Sequence, residues 1–327
     1  SPMNDTPFFS VIVPVYNKEE FVVRALNSVL NQSFNDFELL VVCDPSTDRS
    51  QERLESVSDP RIRIFHRDQP GPGGYAARNL GIENSRGTWL TFLDADDMWL
   101  PNRLLQMQQL IGAFPEQKLF TCAYQIDAMG RQRLDLFSQH FSGKPPGVFT
   151  FKDYLQYSTT LEKPFHTNTV TFRRDVLIDS KLFPAGQANR SGDLYAWVKL
   201  IAATRTFVWT SEVGAYLYKD VVGVSLTAVP SIFLNLKMVS ELASSVNSEE
   251  QRWLKKYANR LMRVAHFEQV RLKGQAEVDL SKVFFWRVDP FYCTFWYAVS
   301  RLPPSALTFL KGLKASLRGV ATKLLKS

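Results

Sequence analysis

Three carboxylates, Asp94, Asp96 and Asp97, fall within four residues, straight after the apolar run Trp89-Leu90-Thr91-Phe92-Leu93. Like charges this close repel unless a cation or solvent offsets them. A hard divalent ion with oxygen ligands does so, and Mg²⁺ typically takes one or two carboxylates together with substrate phosphates. An acidic turn ahead of the helix opened by Pro101 is the other reading of the same residues. A second segment, Gly71-Pro72-Gly73-Gly74-Tyr75-Ala76-Ala77-Arg78-Asn79, runs glycines into a helix bearing Arg78. Backbone N–H groups at a helix start plus a guanidinium suit a phosphate, and a plain turn is the alternative. It is not the dinucleotide GxGxxG, because it does not directly follow the first strand, and it lacks the Gly-Lys-Ser/Thr of a P-loop. A third segment, Ser191-Gly192-Asp193-Leu194, puts Asp193 at the start of an apolar helix, as an N-cap or as a catalytic carboxylate.

The elements that must position these groups alternate in period. Short β-branched runs at 8–15, 38–43 and 89–93 read as buried strands, and 61–65 as a half-exposed one. Helical spacing separates them over 18–32, 48–57 (with Asp48 placed to cap) and 76–84. A helix from Pro101 to about Phe114 and a strand at 119–124 follow. This predicts an α/β fold, a mostly parallel sheet flanked by helices, whose ligands bind beyond the strands' carboxyl ends. Those ends carry Tyr16-Asn17, Cys43-Asp44, Arg67-Asp68 and Asp94-Ala95-Asp96-Asp97. Residues 130–165 read as less regular, 167–177 as a strand entering a helix, 192–203 as a helix, and 230 onward as helical, with a soft boundary near 225. Trp197 reads as core, and Cys43 as a buried small hydrophobe.

The chain has 327 residues, with 39 Lys/Arg against 32 Asp/Glu. An apolar fraction of 45% excludes global disorder. Its three widely spaced cysteines make neither a disulfide framework nor a CxxC metal site, which favours a reducing compartment. Ser1-Pro2 ahead of Met3 reads as a non-native scar, and no apolar signal-type run follows. The charge is uneven: residues 250–327 hold 15 Lys/Arg and 5 Asp/Glu, whereas residues 1–249 hold 24 and 27. The basic tail carries aromatics and, after Pro303-Pro304, a helical arc of Phe309, Leu310, Leu313, Leu317, Val320, Ala321 and Leu324. Lys311, Lys314 and Arg318 lie beside the arc and Lys326 farther round, the pattern of a helix that lies on an anionic bilayer or docks on the body with a basic outer face. The longest uncharged run, Val221–Leu236, holds Pro230 and is too short to span a bilayer. With no recognised binding motif beside the charge, nucleic acid is not an expected partner.

Four ordered segments resemble one family. Ser10-Val11-Ile12-Val13-Pro14-Val15-Tyr16-Asn17, Ser28-Val29-Leu30-Asn31-Gln32-Ser33, Ala76-Ala77-Arg78-Asn79-Leu80-Gly81-Ile82 and Phe92-Leu93-Asp94-Ala95-Asp96-Asp97 are similar in order and spacing to family-2 glycosyltransferases. These are inverting enzymes of the GT-A fold, of the bacterial surface-polysaccharide type, and the resemblance covers about 8–215.

The resemblance implies roles for matching positions. Pro14, Tyr16 and Asn17 would flank the nucleotide base, and Asp44 would hydrogen-bond the uracil edge. Arg78 would approach the base or phosphates. Asp94, with Ala95, would contact ribose or sugar. Asp96 would bind Mn²⁺ or Mg²⁺ bridging the diphosphate, and Asp193 falls where the family carries its general base. His166, in Pro164-Phe165-His166-Thr167-Asn168, stands near where an acceptor would enter, or is a loop or core histidine. The chain departs from the pattern at Cys43-Asp44-Pro45-Ser46 (commonly Asp-Asp-Gly-Ser), at Gly71 (often Asn) and at Gly192 (usually Glu). It lacks the Gln-x-x-Arg-Trp motif of processive synthases, so single-sugar transfer is expected.

The resemblance thus implies a GT-A domain over 8–225, with 8–125 binding a nucleotide sugar, UDP-linked by expectation, and 126–225 binding the acceptor and carrying the base. Residues 226–327 would form a basic helical extension. The expected partners are the nucleotide-sugar donor, a saccharide or lipid-linked saccharide acceptor, and an anionic membrane surface. The expected place is cytoplasmic, peripheral at the inner face of the cytoplasmic membrane. Competing readings are a non-catalytic nucleotide- or glycan-binding relative and a sugar-1-phosphate nucleotidyltransferase. Against the latter, Pro14-Val15-Tyr16-Asn17 stands where its glycine-rich, arginine-containing loop belongs.

Overall fold

The computed structural model describes residues 6–160, 162–219 and 227–324. Four strands, β1 (Phe9–Val15), β2 (Phe37–Cys43), β3 (Ile62–His66) and β4 (Trp89–Phe92), pair in parallel in the order β3-β2-β1-β4. β2 is buried along its whole length and β1 everywhere but Pro14, as strands covered on both faces must be. β3, on the edge, is half-exposed as its alternation predicts. The crossovers are α1 (Val22–Leu30), α2 (Ser50–Glu55) and α3 (Tyr75–Asn84). α1 buries Val22, Ala25, Leu26 and Val29, one stripe at helical spacing. Asp48 does meet the start of α2: its carboxylate accepts the Ser50 N–H at 2.9 Å and the Glu19 N–H at 3.2 Å.

The second half of the sheet continues β4-β9-β6-β10-β5. Here β5 is Met98–Trp99, β6 Leu119–Ala128, β9 Thr171–Arg173 and β10 Thr206–Tyr218. β9 runs antiparallel to both neighbours and β10 parallel to β6. Helix α4 (Arg103–Ala113) follows β5, and a single 3₁₀ turn, not an α-helix, follows β9.

Residues 130–165 also differ from the sequence expectation, and β10 lies where no element was expected. The former stretch is more regular than expected, holding β7 (Arg131–Leu134), α5 (Leu136–Phe141), β8 (Gly147–Thr150) and α6 (Phe151–Thr159). Caps replace long apolar periodicity there: Asp135 accepts the Ser138 N–H, and Thr150 and Asp153 form a reciprocal capping box. The 13-residue β10 gives no clean alternation, because its register against β6 shifts between Thr210 and Val213.

Helix α7 (Gly192–Thr204) lies where expected, with Trp197 fully buried in the core. Beyond it come α8 (Phe233–Leu242), α9 (Ser248–Lys273), α10 (Leu280–Val283), α11 (Pro290–Ser300) and α12 (Pro304–Leu324). One apolar core joins Phe172 and Trp197 to Met238, Leu254, Tyr257, Met262 and Phe284, so packing continues across residue 225. A second core lies between the other sheet face and α1 and α4. Among the described residues no helix is long and apolar enough to cross a membrane. Residues 221–226 of the uncharged run, and Lys326, lie outside the described residues.

Candidate active site

Parallel pairing sets the strand ends side by side, Val15 against Cys43 and Ile12 against Phe92. The residues just beyond β1, β2 and β4 therefore share one rim. Asp94, Asp96 and Asp97 each place a carboxylate oxygen within 4.8 Å of the others. Each is held differently. Asp94 Oδ1 accepts a 2.7 Å bond from Arg78 Nη2. Asp96 Oδ2 lies 3.4 Å from Lys18 Nζ. Asp97, buried, accepts the Tyr218 N–H at 2.9 Å and Asn168 Nδ2–H at 2.8 Å. Burial, then the Asp94 charge, raises the Asp96 carboxyl above its ordinary range. Burial, then the Asp96 and Asp94 charges, pushes Asp97 well above it. Three acids crowded to this degree favour a bound cation, and an all-oxygen donor set suits a hard divalent ion.

Asn168 ties the acidic turn down. It is fully buried, its Oδ1 accepts the Asp94 N–H at 2.9 Å, and its carbonyl accepts Trp99 Nε1–H and Arg103 Nε–H. Ala95, 2% exposed, plugs the turn into the core.

Arg78 is itself buried: Nη1 donates to the Gly73 carbonyl, the guanidinium lies over Phe183, and Nε has no partner among the described residues. The Asp44 carboxylate accepts two bonds from Arg67 Nη1, at 2.8 and 3.0 Å, and one from the Gly71 N–H at 2.7 Å. It thereby anchors the glycine segment to the end of β2 and keeps roughly one of its four lone-pair directions free. Pro14 faces that segment. Tyr16 is exposed at the rim. Asn17 adopts φ 49°, a left-handed conformation Asn tolerates, and spends its amide on Thr47. It joins the β1 and β2 loops instead of facing outward. Burial, then Asp44, pushes the Cys43 thiol up to about 12, so it behaves as the expected hydrophobe.

Asp193 sits half-buried in the first turn of α7, and among the described residues its carboxylate makes no hydrogen bond. The preceding Gly192 N–H donates to Tyr75 Oη at 2.8 Å. A Cβ on Gly192 would stand 2.8 Å from Tyr75 Cζ and from Pro184 Cγ, so no larger residue fits unless these move. Tyr75, Tyr124, Tyr154 and Tyr257 all feel the Asp193 charge, as does His166. His166 Nδ1 accepts the Asn168 N–H and its ring packs on Tyr124, which leaves Nε2 as the protonated nitrogen. Burial lowers its pKa, while Asp94 and Asp193 oppose that shift.

The structure thus brings Asp94, Asp96, Arg78, Asp44 and Pro14 to one rim and turns the Asn17 amide away. The sequence reading missed three supports, Lys18, Asn168 and Tyr75, and the buried Tyr257 that feels the Asp193 charge. Tyr75 stood within the quoted glycine segment and Asn168 beside His166, but Tyr257 arrives from α9, too far along the chain for any local signal.

The family model described as Glycosyl transferase family 2 matches residues 10–177. The chain belongs to glycosyl transferase family 2. An uncharacterized glycosyltransferase of Rickettsia conorii is 34% identical over 206 residues, 61% of this chain and 30% of that protein. WcaA of Escherichia coli K12, named for colanic acid biosynthesis, is 36% identical over 104 residues, 31% of this chain and 37% of that protein. This family-2 chain spans 19% to 30% of the length of the first curated relatives it matches. The crystal structure of S. aureus TarS 1–349 in complex with UDP-GlcNAc superposes with a TM-score of 0.72 at 20% identity, over 89% of this chain and 88% of TarS. That likeness confirms the expected GT-A fold.

Proposed function

We propose that this family-2 protein is an inverting glycosyltransferase that moves one sugar from a nucleoside-diphosphate donor, UDP-linked by preference, to a hydroxyl of a saccharide or lipid-linked saccharide. The work belongs to bacterial glycan assembly at the inner face of the cytoplasmic membrane. The observation that carries the reading is the Asp94–Asp96–Asp97 cluster on the rim with Arg78 and Lys18. Charge accounting supports a metal. Arg78 and Lys18 balance Asp94 and Asp96, so an incoming diphosphate needs further positive charge. Asp96, helped by Asp94, would hold Mn²⁺ or Mg²⁺, which supplies charge stabilisation at the leaving diphosphate. Asp97 has both oxygens committed and acts as the turn's anchor.

Within this reading Arg78 also faces the growing negative charge of the leaving group. Tyr16 and Pro14 flank the base, Asp44 offers its remaining lone pair to a base N–H, Asn17 holds the loop, and Ala95 seats the turn. Asp193 takes the acceptor's proton as the hydroxyl attacks from the opposite face of the sugar, and a single displacement inverts the anomeric centre. Such assistance is typically worth about 10²–10⁴ in rate. A polar cleft of about 440 Å³ lined by Gln187, Asn189, Ser231, Gln269 and Lys273 opens beside the loop leading to Asp193. The Asn189 amide suits an acceptor hydroxyl, whereas the Gln269 amide is spent on Pro230 and Glu277.

The test is a sugar-nucleotide panel with Mn²⁺ or Mg²⁺, reading nucleotide release with and without lipid-linked acceptor. Acceptor-dependent release that Asp193→Asn abolishes, with donor binding retained, is expected, as is weakened metal-dependent donor binding in Asp96→Ala. Donor binding without release would leave a binding module, and wild-type turnover in Asp193→Asn would overturn the base assignment.

A further inference from the structure

The last two helices expose apolar side chains that no described residue covers. On α11, Cys293 faces inward, and Tyr292 and Trp296 pack against Arg260 and Arg263. The opposite side presents Phe291, 89% exposed, and Phe295, 60% exposed, followed by Leu302. On α12, Phe309, Leu310, Leu313, Leu317 and Val320 are all exposed. These five fall within the arc read from the sequence, and the helix does not fold that arc onto the body. Exposed Lys311 and Lys314 border it. From residue 280 onward the chain holds eight Lys/Arg and one acid, Asp289, which is paired with Arg260.

We propose that the outward face of α11 and α12 is a membrane-binding surface whose occupant is an anionic lipid bilayer, with α12 lying in the headgroup plane. Charge selects the occupant. α12 carries no acidic residue, so a second copy of the helix would bring lysines against lysines. A bilayer bearing phosphate anions takes the apolar arc into its acyl boundary and the lysines at its headgroups, and exposed aromatics are suited to that depth. The surface does not rest on the donor and base assignments, since it shares no residue with the rim.

Co-sedimentation of the full chain with vesicles tests it, comparing phosphatidylcholine alone with phosphatidylcholine plus phosphatidylglycerol. Binding to the anionic vesicles that falls with salt is expected. Lys311→Ala with Lys314→Ala should weaken partitioning roughly thirtyfold, at about a factor of five per lost cation. Leu313→Asp with Leu317→Asp should abolish it, with the melting temperature unchanged because both side chains are exposed. Absence of binding by the intact chain overturns the proposal. So does equal binding to neutral vesicles, or a concentration-dependent dimer in sedimentation velocity that the Leu→Asp pair dissolves. Nucleotide release measured without vesicles, unchanged in these variants, separates failure of this surface from failure of the enzyme reading.

Discussion

Replacing Asn168 by Ala removes two buried side-chain bonds at once, those to Asp97 Oδ2 and the Asp94 N–H. The Trp99 and Arg103 bonds go to the backbone carbonyl and survive. Each orphaned group costs about 1–3 kcal/mol, so roughly 2–6 kcal/mol is lost in total. At about 2.1 cal/mol/K per residue of unfolding entropy, that lowers the melting temperature by roughly 3–9 °C for this length. The functional effect is separate. The Asp94 backbone and the Asp97 carboxylate lose their common tether, so the three acids no longer hold one geometry. Outer residues that orient ligands typically alter metal affinity about 10–100-fold. The assay is thermal melting together with the Mn²⁺ dependence of nucleotide release. A melting shift with an unchanged Mn²⁺ half-saturation would refute the positioning role and leave Asn168 as packing alone.

Gly192→Ala should crowd Tyr75 and Pro184, at an overpacking cost of about 1–3 kcal/mol, and lower kcat more than donor KM; unchanged kcat in steady-state assays would refute the fit. Bonding to Arg271, then Arg190, lowers the Glu268 carboxyl to about 2. A folded pKa below the unfolded value gives stability present above the unfolded pKa and lost as pH falls through the folded one. The stability gap between the parent and Glu268→Gln should therefore be full at pH 7 and close between about pH 5 and 2, and a gap constant with pH in denaturant melts would contradict it. Deleting 303–327 should leave the melting temperature unaltered, because none of the described side chains of α12 is buried. Ending the chain at 225 removes Met238, Leu254, Tyr257, Met262 and Phe284 from the core and should give insoluble protein; a soluble, cooperatively melting product would show 8–225 to be self-sufficient.

The first half of the fold was legible because its signals are local. β1, β2 and β4 are continuous apolar runs, α1 carries one stripe, and each strand ends on polar residues that the parallel pairing then aligns. The acidic cluster needed only its position after β4. What stayed hidden depends on distant partners. β10 carries a shift of register against β6, and the elements in 130–165 are short and fixed by caps. Asp97 and Asp96 are chemically alike in sequence, and only the amide of Asn168 and the N–H of Tyr218 distinguish the anchor from the rim. Gly192 read as a departure from the family pattern, and the space it vacates is filled by Tyr75 from α3.

That last contact changes the meaning of the glycine segment. Its spacing suits a phosphate cradle, yet Gly73 has φ 69° and a Cβ there would stand 2.4 Å from the Tyr75 ring. The glycines let the chain turn hard enough to start α3 at Tyr75, and Asp44 fixes the entrance of that turn through the Gly71 N–H. One turn of α3 then does two things. Tyr75 Oη receives the N–H beside Asp193, and Arg78, three residues on, grips Asp94. From the far side, Arg190 is held by Glu268 of α9 three residues before Asp193. The separation between the acidic rim and Asp193 is thus set by a single helical turn clamped at both ends. A side chain at Gly73, whose carbonyl also accepts Arg78 Nη1, would have to displace the Tyr75 ring, and so should disturb both contacts.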